Sequence, residues 1–219
     1  MNTQEMLNMN YQQLVELMKQ KYGPVPYDYF CTPSCKSVNL KNSRTYDGLE
    51  IHHIDEDKHP LLSSTRFATK SNASWELQKA ERLVYANIFE HLILHIKICE
   101  LNNKDFMPGI KYIANRINTY YESEELHSWH KNMFEIIKNS FDDYIMILKY
   151  QLQRTAKDNI SYMNAMHILC SNTNRTYNIE VFNLLFAIEV PGKDMWKNLP
   201  DIIMRINQEE KNKEEKLLD

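Results

Sequence analysis

Residues 87–101 read NIFEHLILHIKICEL, the most strongly patterned segment of the chain. Asn87 and Glu90 are three residues apart and fit a capping box, which predicts that a helix begins here. On a helical wheel Glu90 and Lys97 share one side, which we expect to face water, while apolar residues cover most of the rest. The segment therefore predicts a helix that ends near Leu101 and is apolar over most of its surface.

Two histidines lie within the apolar part of this helix. His91 and His95 are four residues apart in the sequence, so their rings lie on one face of the helix. Imidazoles in apolar surroundings are cut off from water, and buried polar groups need partners. A metal ion would be a partner for both rings. The alternative is a pair of unrelated core histidines, each bonded to a backbone carbonyl.

A second pair of histidines, His52 and His53, lies in the sequence EIHHI at residues 50–54. Residues 46–54 are predicted to be extended, after a turn at Asp47 and Gly48. Neighbouring residues of a strand point to opposite sides, so both histidines cannot be ordinary ligands of one ion. We therefore predict that His52 binds the ion and that His53 faces the substrate, where it can take a proton.

These segments together resemble the motif of the HNH, or ββα-metal, endonucleases. The segments that carry the resemblance are EIHHI at 50–54, RLVY at 82–85 and EHLILH at 90–95. The resemblance covers about residues 46–100, and it looks most like the three-histidine variant found in bacterial nuclease toxins. It implies three metal ligands and one general base: His52, His91 and His95 for the metal, and His53 for the base.

The chain departs from this family at one functional position. The family's middle asparagine, which orients the base histidine, falls on Arg82. Arginine only donates hydrogen bonds, so it cannot replace an amide that accepts one from an imidazole. Arg82 is a candidate catalytic residue that binds the scissile phosphate, or else a solvated residue at the end of a strand. The stretch between the motif halves is also longer than in compact members and lacks their usual glycine pair, which leaves an inactive member as an alternative.

Three consecutive acids follow the histidine pair. Asp55, Glu56 and Asp57 could add an oxygen ligand to the ion, but a solvated acidic loop is the favoured interpretation. Three imidazoles suit one divalent ion of Zn, Ni or Mn better than Mg. The resemblance implies nucleic acid as substrate; DNA is favoured, and the sequence does not decide between DNA and RNA.

Net charge offers little support for a nucleic-acid partner. The chain carries a formal charge of -3, which gives no general attraction for phosphate. Residues 34–46 and 58–75, on either side of the histidine pair, contain lysine and arginine but no acid. Binding of phosphate would therefore depend on these two local stretches.

The fold class predicted from composition and patterning is an α-dominant α+β protein. Only 4 of 219 residues are glycine, which favours helices over a sandwich or barrel. The expected elements are two short strands, at 46–54 and 83–85, a loop over 55–73, a short helix at 75–80, and longer helices. The longer helices are predicted at 4–22, 87–101, 109–121, 124–139, 141–157, 160–170, 178–189 and 194–212.

We predict two domains. The first, residues 1–107, holds the N-terminal helix and the HNH-like module. The second, residues 108–219, is helical with a charged tail, and it is the expected surface for a homodimer or a protein partner.

The sequence has no run of 18 apolar residues and no secretory signal, and the cysteines are predicted to be free thiols. We therefore expect a cytoplasmic protein with no membrane contact.

Overall fold

The computed structural model describes residues 2–70, 75–122 and 126–155. The helices predicted at 160–170, 178–189 and 194–212, and the charged tail, lie outside these residues. Contacts divide the chain into two compact units, Met1–Ile147 and Leu148–Asp219, and the candidate site lies in the first. The predicted domain boundary between residues 107 and 108 stays a prediction.

Helices dominate the described part of the chain, as predicted for an α-dominant α+β protein. The α-helices are α1 (Thr3–Leu7), α2 (Tyr11–Tyr22), α3 (Thr65–Lys70), α4 (Ile88–Leu101), α5 (Pro108–Glu122), α6 (Ser128–Ile137) and α7 (Phe141–Thr155). Short 3-10 turns occur at Leu40–Asn42, Thr45–Asp47, Trp75–Gln78 and Ala80–Arg82. The strands are β1 (Glu50–His53) and β2 (Leu83–Ala86). The loop predicted over 55–73 is wrong in part, because α3 lies within it.

The two strands form an antiparallel sheet that holds the histidine pair. His52 lies opposite Val84, and His53 lies opposite Leu83. Gly48 precedes β1 with a positive φ of 69°, which suits the predicted turn because glycine adopts this conformation without strain. Glu50 lies opposite Ala86, at the end of β2 from which the chain enters α4, whereas His52 and His53 lie towards the other end of the sheet.

Helix α4 begins as predicted. The Asn87 side chain accepts hydrogen bonds from the N–H groups of Phe89 and Glu90, both at 3.0 Å, and Glu90 accepts one from the N–H of Asn87 at 2.8 Å. This reciprocal capping satisfies donors that a helix end otherwise leaves free.

The prediction that Glu90 and Lys97 face water is wrong. Their exposed fractions are only 2% and 3%. Lys21 and Tyr22 at the end of α2 reach the Glu90 carboxylate at 2.5 and 2.8 Å, and Lys97 pairs with Glu100 at 2.8 Å. Because buried charges are tolerated only when they are paired, these contacts allow α4 to be enclosed on its polar side as well.

The N-terminal segment is two helices and not the single helix predicted at 4–22. Asn10 interrupts it, because its side chain accepts a hydrogen bond from the N–H of Gln13 at 2.9 Å and so caps a new helix. This break makes Tyr11 the first residue of α2. Tyr11 is buried and reaches the histidine pair.

Candidate metal centre

Three histidines converge as the sequence predicts. One ring nitrogen from each of His52, His91 and His95 lies within 4.8 Å of the other two. The Nε2 atoms of His91 and His95 are 3.2 Å apart. His52 comes from β1 and the other two from α4, so the packing of the helix on the sheet forms the cluster. These three residues could hold a metal ion.

The hydrogen bonds of His52 direct its free nitrogen into the cluster. The Tyr11 hydroxyl donates to the Ile54 carbonyl at 3.0 Å, so it accepts from Nε2–H of His52 at 2.9 Å. In this tautomer Nδ1 of His52 carries the lone pair. Nδ1 is buried and has no hydrogen-bond partner among the described residues. A buried acceptor without a donor is costly, and a cation at this point would remove that cost.

His91 is held by a carboxylate. Its Nδ1–H donates to Oε2 of Glu50 at 2.9 Å, which leaves Nε2 of His91 free to bind an ion. Arg116 of α5 donates to the other carboxylate oxygen of Glu50. Burial by itself would raise the pKa of Glu50, but His91 and Arg116 lower it to about 2, so the group is ionised. A carboxylate behind a metal-binding imidazole fixes the ring and raises its basicity.

The ring of His95 is positioned by packing. A methyl group added at Gly109 would lie 2.5 Å from Cε1 and Nδ1 of His95, so only glycine leaves room for the ring. Nδ1 of His95 is buried and lacks a hydrogen-bond partner within the described residues. Nε2 of His95 faces the cluster, 3.2 Å from Nε2 of His91.

The donor set fits a divalent ion. Two ligands at about 2.1 Å from one ion, at a tetrahedral angle, lie roughly 3.4 Å apart, close to the separation of the two Nε2 atoms on α4. Burial, and the other imidazoles close by, hold the pKa of His52 and of His95 well below the ordinary value. Neutral imidazole is the form that binds metals, so the rings are ready to act as ligands. Three imidazoles do not select one metal.

His53 lies beside the cluster and has a different partner. Its Nε2 and Oε1 of Gln78 are 2.9 Å apart; an amide oxygen only accepts, so Nε2 carries the proton and Nδ1 the lone pair. The amide nitrogen of Gln78 donates to the Leu62 carbonyl at 3.3 Å, which fixes which end of the amide faces His53. Burial lowers the pKa of His53 to about 4, so the ring is neutral at pH 7.

Arg82, a predicted catalytic residue, is engaged by an acid. It donates two hydrogen bonds to Asp55, one of them from Nε to Oδ2 at 2.6 Å, and its side chain is 40% exposed. Arg82 is not among the residues that line the cavity beside the histidines. A role for Arg82 in binding phosphate stays a prediction.

The solvated loop expected at residues 55–57 is wrong for two of its three acids. Asp55 and Glu56 are only 4% and 6% exposed. Oε2 of Glu56 lies 3.5 Å from Nε2 of His95 and 4.0 Å from Nδ1 of His52. Burial raises the pKa of Glu56 to about 7, although His91 and the backbone N–H groups of Leu62 and Ser63 oppose the shift.

One cavity of about 530 Å³ joins these groups. Its lining includes the three clustered histidines, His53, Glu56 and Arg116. The volume is within the range of small-molecule and cofactor sites. A ligand in this cavity would meet both the metal cluster and His53.

Four residues of the site were missed by the sequence reasoning: Tyr11, Gln78, Gly109 and Arg116. Gln78 had a usable signal, because it is an amide residue that lies four positions before Arg82. Arg82 occupies the position of the asparagine in the family motif. Tyr11, Gly109 and Arg116 reach the histidines only through the packing of α2 and α5, which leaves no local pattern in the sequence.

Comparisons with protein-family models, curated proteins and solved structures found no match for the chain. Among the described helices, none is both long and apolar enough to cross a membrane. Cys31 and Cys35 are free thiols, and Cys170 lies outside the described residues.

Proposed function

We propose that the protein is a divalent-metal-dependent endonuclease of the HNH type that hydrolyses phosphodiester bonds in nucleic acid, DNA rather than RNA. The observation that carries this proposal is the meeting of three clustered imidazoles with a fourth histidine, His53, on one cavity. The chain order of β1, β2 and α4 also matches the order of a ββα-metal module. The resemblance of residues 46–100 to that family is the second support.

His53 is the general base of the proposed reaction. Gln78 accepts the Nε2 proton, so the lone pair of His53 lies on Nδ1, which has no hydrogen-bond partner in the described part of the chain. At pH 7 the ring is neutral, the form that can take a proton from a water molecule as that water attacks phosphorus, and its pKa of about 4 makes it a weaker base than an ordinary histidine. Gln78 thus supplies the orienting amide that the family motif would place at Arg82.

The three clustered histidines are the proposed ligands, and Tyr11 and Glu50 hold two of their rings in place. A divalent ion bound there would stabilise the negative charge that develops on the phosphate and on the leaving oxygen. Zn, Ni or Mn suits the imidazoles better than Mg. Arg116 lines the same cavity but is paired with Glu50, so its proposed role is to hold the Glu50–His91 pair.

Nicking of supercoiled plasmid, with Mn, Mg, Zn and Ni supplied in turn, tests the proposal. The wild-type protein is expected to nick with at least one ion, and His91→Ala is expected to lose both metal binding and nicking. His53→Ala should lose nicking, by about 10²–10⁴-fold in rate, and keep metal binding. Nicking by His53→Ala at the wild-type rate would exclude His53 as the base.

A second candidate is a metal-stapled module that binds nucleic acid or a protein partner without cutting. Two features favour this candidate. Arg82 occupies the position of the motif's asparagine and is paired with Asp55. The Glu56 carboxylate lies beside the cluster of three histidines. Stoichiometric metal without nicking under any ion would select it over the nuclease.

A further inference from the structure

Glu56 has a buried carboxylate to which the proposed reaction gives no role. It follows β1 in a turn whose N–H at residue 56 donates to the His53 carbonyl at 3.2 Å. This turn brings the carboxylate back towards the histidine pair, and the side chain lines the cavity. The position is thus fixed by backbone structure and not by a flexible loop end.

The charge of Glu56 has no cationic side chain to balance it. Within the described residues, its carboxylate contacts the imidazoles of His52 and His95 and forms no ion pair with a lysine or arginine. Arg116, which lines the same cavity, is paired with Glu50, and Arg82 is paired with Asp55. A buried carboxylate without a lysine or arginine partner is unfavourable unless it takes up a proton or binds a cation, so a cation at this point would be stabilised by Glu56.

The distances suit a shared ion. Donors around a tetrahedral ion are roughly 3.4 Å apart, and the carboxylate lies 3.5 Å from the ring of His95 and 4.0 Å from that of His52. Glu56 is not part of the group whose ligand atoms all lie within 4.8 Å of one another, so its carboxylate would have to move further into the cluster to share an ion with His91.

We infer that Glu56 is the fourth ligand of the metal ion, so that the centre has three imidazoles and one carboxylate. The inference rests on the metal site of the proposed function and adds a residue that the three-histidine pattern lacks. Four donors fill a tetrahedral shell. Glu56 would supply the one anionic donor of such a centre, and phosphate or water would have to bind as an additional ligand or in place of the carboxylate.

Metal affinity of three purified full-length proteins tests this inference. Metal-stripped wild type, Glu56→Gln and Asp57→Asn are titrated with Zn²⁺ against a competing chelator. Asp57→Asn is the matched control, because it removes the neighbouring acid, for which the structure shows no contact with the imidazoles. Circular dichroism of the stripped proteins checks that each one folds.

Glu56→Gln is expected to bind Zn²⁺ at least about tenfold more weakly than wild type, since loss of an outer partner alone costs 10–100-fold. Asp57→Asn should bind within about twofold of wild type. Co²⁺ in place of Zn²⁺ should give a different visible spectrum in Glu56→Gln, because the donor set has changed. Equal affinity and equal spectra for wild type and Glu56→Gln would overturn the inference while the three-histidine site stood.

A crystal structure of the wild-type protein loaded with Zn²⁺ tests the same point if Glu56→Gln does not fold. A Glu56 oxygen at about 2.0–2.2 Å from the ion is expected. An oxygen more than about 3 Å away would overturn the fourth ligand alone. Failure of wild-type protein to bind any divalent ion would instead overturn the proposed function, together with the inference.

Discussion

Each imidazole of the cluster is held by a different kind of neighbour. His52 donates to a tyrosine hydroxyl, His91 donates to a carboxylate, and His95 packs against a glycine. A carboxylate partner raises the basicity of the ring more than a neutral hydroxyl does. We therefore expect His91 to be the strongest donor of the three and His95 to depend most on shape.

Gly109→Ala tests the dependence on shape. The added methyl group would lie 2.5 Å from the His95 ring, so the ring must be displaced from its position in the cluster. Alanine has a higher helix propensity than glycine, so Gly109→Ala should not destabilise α5. Weaker Zn²⁺ binding would therefore come from the displaced His95 ring and not from loss of the helix. We expect at least about tenfold weaker binding in a chelator competition, comparable with loss of an outer partner.

Gly23→Ala is the matched control for that experiment. A methyl group at Gly23 meets nothing within 4 Å, although its φ of +77° makes the substitution strained. It is expected to lower stability without changing Zn²⁺ affinity. If both glycine variants bind Zn²⁺ as wild type does, the ring of His95 is not a ligand in the position described.

Gln78→Leu separates orientation of the base from binding of the metal. Leucine cannot accept the Nε2 proton of His53, so the tautomer and the ring position are no longer fixed. We expect slower plasmid nicking, by about tenfold or more but less than in His53→Ala, with Zn²⁺ affinity within about twofold of wild type. Gln12→Leu, on the exposed side of α2, is the control. Unchanged nicking in Gln78→Leu would remove Gln78 from the mechanism.

At the scale of elements, α4 carries two of the three ligands and begins at a complete capping box. Asn87→Ala removes the side chain that accepts from two backbone N–H groups. The expected loss in free energy of unfolding is about 1 kcal/mol, measured by urea unfolding in the presence of EDTA. Asn115→Ala, exposed in the interior of α5, should cost nothing or add slightly to stability. Equal stability of both variants would show that the cap contributes little here.

Local sequence signals predicted the elements that hold the histidines. The capping box located α4, and the extended stretch predicted at 46–54 contains β1, so three histidines could be proposed as ligands and His53 as the base. The break at Asn10 was missed because the apolar face of residues 4–22 continues across it. The burial of Glu90 was missed because its partners lie 68 and 69 residues away in sequence. Sequence patterns describe one element at a time, whereas partners are set by packing.

At the scale of the whole unit, the site draws on segments far apart in the chain. Tyr11 comes from α2, the histidine pair from β1, Gln78 from a 3-10 turn, and Arg116 from α5. Arg116 lies beyond the predicted domain boundary at residue 107, yet it donates to Glu50 behind His91. An ion at the cluster would therefore tie β1 to α4 directly and α2 and α5 through hydrogen bonds.

Metal binding should consequently stabilise the folded state. Because His52 and His91 meet only when the sheet and α4 pack together, the unfolded chain offers no comparable site. Zn²⁺ at 100 times its dissociation constant then adds about 2.7 kcal/mol to the free energy of unfolding. At roughly 2–4 °C per kcal/mol for a chain of this size, Tm of the metal-stripped protein is expected to rise by about 5–10 °C.

His59→Ala, which removes an exposed histidine, should show the same rise, and His91→Ala should show almost none. The measurement is a thermal melt of each stripped protein with and without Zn²⁺; an equal rise in all three would place the stabilising metal somewhere other than the cluster.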